Sequence, residues 1–339
     1  VVRFTPTEDG VWDFKAGEAT GQFPAAASNA PGFIHPINAH HWIADNDKQH
    51  LWMGTRIDLR QPRAEFDQEV ALRAKEKFTH LTVVLGKSAD LVEAADRVWQ
   101  IHKAGMTTDL ALEELPSARD VTGLVARFAA FNLTWAGVVD FEKIDRSKSA
   151  LKEYGLALRR IDPYQHPRGS LAEVTSASLT GDQWMNYFSY GTSDPNIGAV
   201  EHQVYQIPAL ATKIQTRQEL WNATMNGQYP ASGSGPHMKA WFEFMNGNRY
   251  WELEPYFDLE GGRALALDGI EYIVYLEKPG PVTVTVESHG YDVAWINPAT
   301  GERVKAKDFK GTMFTGEPPT KDHDWVLHLS REGTKQGML

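Results

Sequence analysis

Two acidic residues follow a strongly apolar stretch that begins at Asn132. The sequence there reads Asn-Leu-Thr-Trp-Ala-Gly-Val-Val-Asp-Phe-Glu, and its β-branched and apolar residues predict a buried strand. Asp140 and Glu142 come just past the carboxyl end of that strand, and Trp135 lies within it. Carboxylates at such an edge could transfer protons around a glycosidic bond, and the indole could stack on a sugar ring. Alternatively, the acidic side chains only cap the next helix.

Four further polar residues lie near predicted strand ends, where they could contact a substrate. Asp109 belongs to a strand predicted over 106–112, Tyr190 ends a strand predicted over 184–190, and Asn226 and Tyr229 follow a helix predicted over 217–225. With Trp135 they form the expected substrate-binding set. Helix capping by Asp109 and structural hydrogen bonding by Asn226 and Tyr229 are the alternative interpretations.

The sequence gives little support for a bound metal. His40 and His41 are adjacent, and neighbouring residues of an extended strand point to opposite faces, so no third ligand is evident beside them. His202 falls on a predicted helix, where surface polarity accounts for it. Glu254 lies in an acidic aromatic segment and is a fallback second carboxylate. We therefore predict neither a metal nor a cofactor.

Composition narrows the classes of partner. The chain has 339 residues, of which 42% are hydrophobic and 23% charged, and its formal net charge is −10. No Lys/Arg-rich run stands out, so nucleic acid is not an expected partner. No apolar stretch reaches the roughly 18–20 residues that span a membrane. The chain contains no cysteine, which excludes disulfides but no compartment. It begins Val-Val-Arg-Phe, as a mature form or a fragment would, and we expect a secreted or periplasmic location.

Three zones of different periodicity position these residues. Residues 1–32 read as two or three strands, with predicted strands over 1–4 and 11–15. Residues 33–265 alternate short apolar strands with helical segments, as in βαβ units. They include a helix predicted over 147–161 and a strand predicted over 171–178. Seven or eight such units predict an α/β fold of the (β/α)₈ TIM-barrel type. Residues 266–339 have the period of two and the turn signals of a small β-sandwich, with predicted strands over 266–276, 282–286, 291–296 and 325–329.

Several segments together resemble the bacterial apiosidase-like glycoside hydrolases. The matching stretches, besides Phe131 to Glu142, are Arg3-Phe-Thr-Pro-Thr7, Lys77-Phe-Thr-His-Leu81, Gly105-Met-Thr-Thr-Asp-Leu110, Asp162-Pro-Tyr-Gln-His-Pro-Arg168, Trp221-Asn-Ala-Thr-Met-Asn-Gly-Gln-Tyr-Pro230 and Asp324-Trp-Val-Leu-His-Leu329. The resemblance covers nearly the whole chain. It implies remnant strands of an N-terminal β domain, a catalytic barrel and a C-terminal β-sandwich of the type once named collagen-binding.

The resemblance also implies two catalytic positions, and this sequence departs from both. The family pattern has a Glu five residues after the strand-four Trp, where this chain has the shorter Asp140. A second carboxylate is expected after strand seven, where this chain reads Pro208-Ala-Leu-Ala-Thr-Lys213. A protonated ammonium cannot act as nucleophile or base, so Lys213 would leave a two-carboxylate mechanism incomplete.

The sequence-based hypothesis is therefore a glycoside hydrolase that acts on a plant, algal or microbial carbohydrate, with Asp140 or Glu142 as acid/base. The alternatives are a non-catalytic carbohydrate-binding protein on the same scaffold and an extracellular adhesion module. We expect no second carboxylate from strand seven within ~10 Å of Asp140, and consequently little hydrolysis. Another acidic residue at catalytic distance would overturn that expectation.

Overall fold

The computed structural model describes residues 3–27, 30–144, 147–192 and 194–333. Two antiparallel hairpins open the chain. Strand β1 (Gly10–Ala16) pairs with β2 (Ala19–Ala25), and β3 (Ile34–Ile37) pairs with β4 (His41–Ala44). The strand predicted over 1–4 is not found in its described part, because Arg3 and Phe4 lie outside any strand; Val1 and Val2 fall outside the described residues.

Four parallel strands alternate with helices in the next part of the chain. Their order along the chain is β5 (Gly54–Arg56), α1 (Arg63–Lys75), β6 (His80–Leu85), α2 (Leu91–Lys103), β7 (Thr107–Leu112), α3 (Ala118–Phe128) and β8 (Leu133–Val138). The strands pair in sequence order, so each helix crosses over between parallel neighbours. All six residues of β8 are buried, as expected for a strand that is covered on both faces.

A second parallel sheet has three strands and follows α4 (Ser147–Ile161). It contains β9 (Phe188–Tyr190), β10 (Ala209–Ala211) and β11 (Gln228–Pro230), with helices α5 (Ala199–Val204), α6 (Arg217–Met225) and α7 (Pro236–Asn246). The Thr216 side chain accepts from the Glu219 amide, and the Glu219 carboxylate accepts from the Thr216 amide, so a capping box begins α6.

Residues 167–171 connect the two parallel sheets. The Trp135 amide donates to the Pro167 carbonyl (2.8 Å), the Leu171 amide donates to the Ala136 carbonyl (3.1 Å), and the Asn186 amide donates to the Arg168 carbonyl (2.7 Å). This extended segment therefore runs beside β8 on one side and approaches the start of β9 on the other. At the far ends of the two sheets, a Cβ added to Gly54 of β5 would lie 2.9 Å from the Ala231 carbonyl that follows β11.

An antiparallel sheet of eight strands completes the chain. The strands are β12 (Glu254–Tyr256), β13 (Leu259–Glu260), β14 (Arg263–Leu267), β15 (Glu271–Leu276), β16 (Val282–Ile296), β17 (Arg303–Lys305), β18 (Phe309–Gly316) and β19 (Trp325–Arg331). One face of β14, β15 and β19 adds Leu265, Tyr275 and Val326 to the main core. Their other faces and β16 enclose a second apolar cluster that contains Tyr272, Val284 and Leu327.

The structure corrects four of the predicted strands. The run over 266–276 is a hairpin rather than one strand, because Asp268-Gly269 forms a turn in which Gly269 has a φ of +73°. Residues 171–178 form no strand; one isolated bridge joins Thr175 to Tyr190. Conversely, the separate strands over 282–286 and 291–296 are a single long strand, β16, whose register shifts between Thr285 and His289.

The chain thus has a mixed α/β fold, with parallel strands and helices followed by a β-rich unit. Within its described part, every helix is too short or too polar to cross a lipid bilayer.

Candidate functional site

Asp140 begins the loop at the carboxyl end of β8. Its backbone adopts the left-handed conformation (φ +47°), which ends the strand and starts a short 3₁₀ helix, Phe141–Lys143. Its carboxylate Oδ2 lies 3.1 Å from the Lys143 Nζ, and 47% of its side chain is exposed. Asp140 is therefore a solvated carboxylate at the edge where parallel α/β proteins carry their chemistry.

Glu173 supplies a second carboxylate at the same edge. Its Oε1 lies 3.0 Å from the Lys143 Nζ, which also contacts Asp140 at 3.1 Å. Because both oxygens contact one nitrogen, they are no more than about 6 Å apart, a bound that is compatible with the ~5–5.5 Å separation in retaining glycosidases. This acid follows the 167–171 segment and not strand seven, so Glu173 is an acidic residue of the kind that would overturn the expectation of an incomplete site. The contacts of Glu173 and Asp140 raise the pKa of the Lys143 ammonium.

Glu142 stabilises the loop that carries Glu173. Its two carboxylate oxygens accept hydrogen bonds from the backbone amides of Glu173 (2.9 Å) and Val174 (3.2 Å). Lys213, two residues past β10, donates from Nζ to the Glu173 carbonyl (3.2 Å). Both side chains therefore hold the Glu173 backbone in place at the carboxyl edge. Sequence reasoning missed Glu173 because it placed this residue inside a strand over 171–178.

Asp109 lies inside the molecule and not at the edge. It is fully buried, and its carboxylate accepts hydrogen bonds from the Thr134 hydroxyl (2.6 Å), the Tyr187 phenol (3.0 Å) and the Thr82 hydroxyl (3.3 Å). Burial raises the pKa of Asp109 to about 6, although the hydrogen bonds from Thr134, Tyr187 and Thr82 oppose the shift. The structure thus gives Asp109 a role inside the sheet rather than a contact with substrate.

Trp135 points to the opposite side of its strand from Thr134. Its indole is 1% exposed, and its Nε1 donates to the Asp162 carboxylate (2.9 Å) at the end of α4. Tyr190 is also 1% exposed and packs against Phe188 in a third apolar cluster. Both rings are buried, so neither offers an exposed platform for a sugar.

Asn226 follows α6, two residues before β11, and Tyr229 is the middle residue of β11. The Asn226 amide donates to the carbonyls of Pro195 (2.8 Å) and Ile197 (3.0 Å), which is structural hydrogen bonding. The Tyr229 phenol contacts the His41 Nδ1 (2.7 Å). The predicted substrate-binding residues are therefore not gathered into one site with Asp140.

A second polar cluster lies at the amino ends of the parallel strands. Glu254, the first residue of β12, contacts His40 Nδ1 at 3.2 Å and His41 Nε2 at 3.5 Å through Oε1, and its Oε2 contacts His202 Nε2. His40, His41 and His202 are all at least nine-tenths buried. No third ligand beside His40 and His41 was evident from the sequence, whereas the structure brings His202 and Glu254 from distant segments into this cluster.

Contacts between Glu254 and the histidines, together with burial, shift the pKa values of this cluster. Burial alone would raise the pKa of the Glu254 carboxyl, but contacts with His202, His40 and His41 lower it well below its usual range. Burial opposes protonation of His40, yet its contacts with Glu254 and the Tyr205 carbonyl raise its pKa. Burial lowers the pKa of His202 despite the same carboxylate.

Comparisons with known proteins agree on the fold. No family model matches the chain, and no curated protein matches it in sequence. A solved structure described as a glycoside hydrolase superposes with a TM-score of 0.75 at 11% identity, covering 90% of this chain and 99% of that one. A family 5 glycoside hydrolase from Bacteroides vulgatus gives 0.75 at 12% identity, covering 90% of this chain and 95% of the other.

A candidate glycoside hydrolase from the same organism superposes with a TM-score of 0.80 at 13% identity, covering 97% of this chain and 90% of the other. These neighbours extend over the parallel part and the β-rich part together. At such low identity the likeness concerns the backbone arrangement and not the residues of any site. The chain has the fold of these glycoside hydrolases.

Proposed function

We propose that this protein is a glycoside hydrolase in which Asp140 and Glu173 form the catalytic carboxylate pair. The observation that carries the proposal is the contact of both carboxylates with the Lys143 ammonium, at 3.1 and 3.0 Å. The resulting upper bound of about 6 Å is below the ~6.5–9.5 Å of inverting enzymes and permits the ~5–5.5 Å of retaining enzymes.

The two carboxylates take different roles in this proposal. Asp140, after β8, is the general acid/base, and Glu173 is the nucleophile that Glu142 and Lys213 hold by its backbone. Lys143 must leave the space between them when a sugar enters. Its side chain is 57% exposed and is anchored only at the end of a 3₁₀ turn, so it can swing into solvent at little cost.

The proposal includes the architecture that positions the pair. We infer that β5–β8, residues 167–171 and β9–β11 are the eight strands of a closed (β/α)₈ barrel, supported by the close approach of Gly54 to Ala231. The C-terminal sheet would be a two-layered β-sandwich around its own apolar cluster. Since β12 and β13 pair with strands of that sheet, the boundary between the two lies near residue 253 rather than 265.

A non-catalytic carbohydrate-binding protein on the same scaffold is the second candidate. Two observations favour it. Lys143 forms ion pairs with both carboxylates, and each carboxylate is nearly half exposed, so neither lies in the apolar surroundings that keep a general acid protonated. Lys213 occupies the position after β10 where the resemblance implies a nucleophile.

Hydrolysis of a panel of aryl glycosides and of plant, algal and microbial polysaccharides tests the proposal. Wild-type protein should release sugar, and Asp140→Asn and Glu173→Gln should each lower kcat by ~10²-fold or more while binding persists. Glu114→Gln is the matched control, because Glu114 is an exposed acid at the carboxyl end of β7 that is ion-paired with Lys87 (3.0 Å). Its activity should equal that of wild type.

The outcome separates the two candidates. Unchanged turnover in Asp140→Asn or Glu173→Gln would refute the assignment of the pair. Binding of a polysaccharide without release of sugar, in wild type and also in Lys143→Met, would favour the non-catalytic candidate. Lys143→Met is informative because it removes the ammonium between the carboxylates and keeps a side chain of similar length.

A further inference from the structure

His40, His41, His202 and Glu254 come from three separate parts of the chain. The two adjacent histidines lie at the turn between β3 and β4, His202 lies on α5, and Glu254 begins β12. The cluster lies beside Gly227, the residue before β11, since a Cβ added there would be 2.4 Å from the His202 Nδ1. It is therefore at the amino ends of the parallel strands, opposite the edge that carries Asp140.

The hydrogen bonds of His40 leave one nitrogen for a cation. Its Nε2 donates to the Tyr205 carbonyl (3.0 Å). A neutral His40 then directs the lone pair of Nδ1 at the Glu254 Oε1, only 3.2 Å away. A lone pair and a carboxylate oxygen repel each other at that distance, unless a proton or a metal ion lies between them.

His41 has the same arrangement with the roles of its nitrogens exchanged. Its Nδ1 contacts the Tyr229 phenol (2.7 Å), whose oxygen can accept a hydrogen bond. Its Nε2 is buried, has no hydrogen-bond partner among the described residues, and lies 3.5 Å from the Glu254 Oε1. The side chain is 4% exposed, so water does not readily satisfy this nitrogen.

His202 supplies a third nitrogen. Its Nε2 contacts the Glu254 Oε2, and its Nδ1 is buried against Gly227 without a partner among the described residues. Three ring nitrogens therefore converge on one carboxylate. The candidate ligand atoms of His40, His202 and Glu254 all lie within 4.8 Å of one another.

We propose that His40 Nδ1, His202 Nε2 and the Glu254 carboxylate bind one divalent transition-metal ion, with Zn²⁺ as the best match and His41 beside the site. Two imidazole nitrogens and a carboxylate oxygen are a known zinc donor set, at ~2.0–2.1 Å in a tetrahedron whose edges are about 3.3 Å, and water takes the fourth position. The contact of 3.2 Å from Glu254 to His40 fits such an edge.

The outer contacts support the same assignment. The Tyr205 carbonyl and the Tyr229 phenol each bond the ring nitrogen that does not face Glu254. Zinc-binding histidines are oriented in this way, by an acceptor on the second nitrogen. Glu254 is 46% exposed on its side chain, which gives an ion a route from solvent. The ion would join the β3–β4 hairpin, α5 and β12, and this role does not depend on the proposed hydrolase activity.

Cobalt substitution of the full chain tests the site directly. After dialysis against a chelator, titration with Co²⁺ should give visible absorption of the intensity typical of tetrahedral cobalt, saturating at one ion per chain. Zn²⁺ should displace the cobalt and abolish the absorption. Glu254→Gln and His202→Gln should weaken Zn²⁺ binding by at least the ~10–100-fold that loss of an outer hydrogen-bond partner costs. His289→Gln, at an exposed His–Glu pair, should bind as wild type does.

Several results would overturn the proposal. The first is that wild type shows no stoichiometric Co²⁺ absorption. The second is that Glu254→Gln binds Zn²⁺ as tightly as wild type does and has a wild-type circular dichroism spectrum. In either case the cluster is a proton-bridged ion-pair network. Should a variant fail to fold, X-ray absorption of the wild-type zinc complex decides the matter, since it must report nitrogen and oxygen neighbours near 2.0–2.1 Å. A different first shell would refute the ligand assignment.

Discussion

The substitution Asp109→Asn should change how the stability of the protein depends on pH. The wild-type carboxylate accepts hydrogen bonds from Thr134, Tyr187 and Thr82 in a fully buried site. An amide of the same shape can keep all three contacts, because its oxygen still accepts two and its NH₂ can donate to the Thr82 hydroxyl. The substitution therefore removes the ionisation of this side chain and little else.

The sign follows from the direction of the shift. Burial raises the pKa of Asp109 from an ordinary 3.8 to about 6 in the folded protein. The folded state then holds the proton more tightly than the unfolded state. Its contribution to stability is complete below pH ~3.8 and is lost as the pH rises through about 6. A shift of roughly two units corresponds to about 3 kcal/mol in total, of which about 2 kcal/mol is lost between about pH 4.5 and 7.5.

Urea unfolding across that range measures the effect. The free energy of unfolding of wild type minus that of Asp109→Asn should fall by about 2 kcal/mol from about pH 4.5 to 7.5. Asp162→Asn is a control of opposite sign. Burial raises the pKa of Asp162, but contacts with His166 and Trp135 lower it overall, so its contribution is lost as the pH falls. A difference for Asp109→Asn that stays constant with pH, or rises, would refute the argument.

Two further substitutions test packing. Gly155→Ala in α4 should lower the free energy of unfolding by about 1–3 kcal/mol, because the added Cβ would lie 2.2 Å from the Trp184 ring. Gly123→Ala in α3, where nothing lies within 4 Å, should instead raise it by about 0.5–1 kcal/mol, and equal effects of the two would contradict this account. Trp135→Phe should cost about 2–3 kcal/mol in urea unfolding because the buried Asp162 carboxylate loses a donor, while any hydrolysis stays at the wild-type level. A fall in kcat without a loss of stability would instead place this ring near the substrate.

Much of the element order could be predicted from local patterns. The helix predicted over 147–161 is α4 as found, and the strand predicted from the apolar run before Asp140 is β8. The hairpin turn at Asp268-Gly269 was missed although its dipeptide is a strong turn signal, because apolar residues continue on both sides of it.

The candidate site could be predicted only in part. Asp140 was identified because an acid directly follows a recognisable strand. Glu173 follows an extended segment whose pairing depends on backbone hydrogen bonds from β8, and no local pattern records such pairing. The cluster around Glu254 joins His40 to a residue 214 positions away. Sequence periodicity carries information only on residues a few positions apart. Contacts between residues 214 positions apart can therefore be seen only in the folded structure.

The shared core has a consequence for how the chain folds during synthesis. Leu265, Tyr275 and Val326, from the C-terminal sheet, belong to the same apolar cluster as the parallel strands, and the Trp221 ring stacks on Tyr275 at 5.8 Å. A nascent chain that ends near residue 253 has every parallel strand but leaves this surface open to water. Because these contacts need residues as late as β19, the surface stays exposed until that strand has left the ribosome. The chain therefore acquires its stability late in synthesis, and the parallel part without its C-terminal sheet is the species that a chaperone would have to protect.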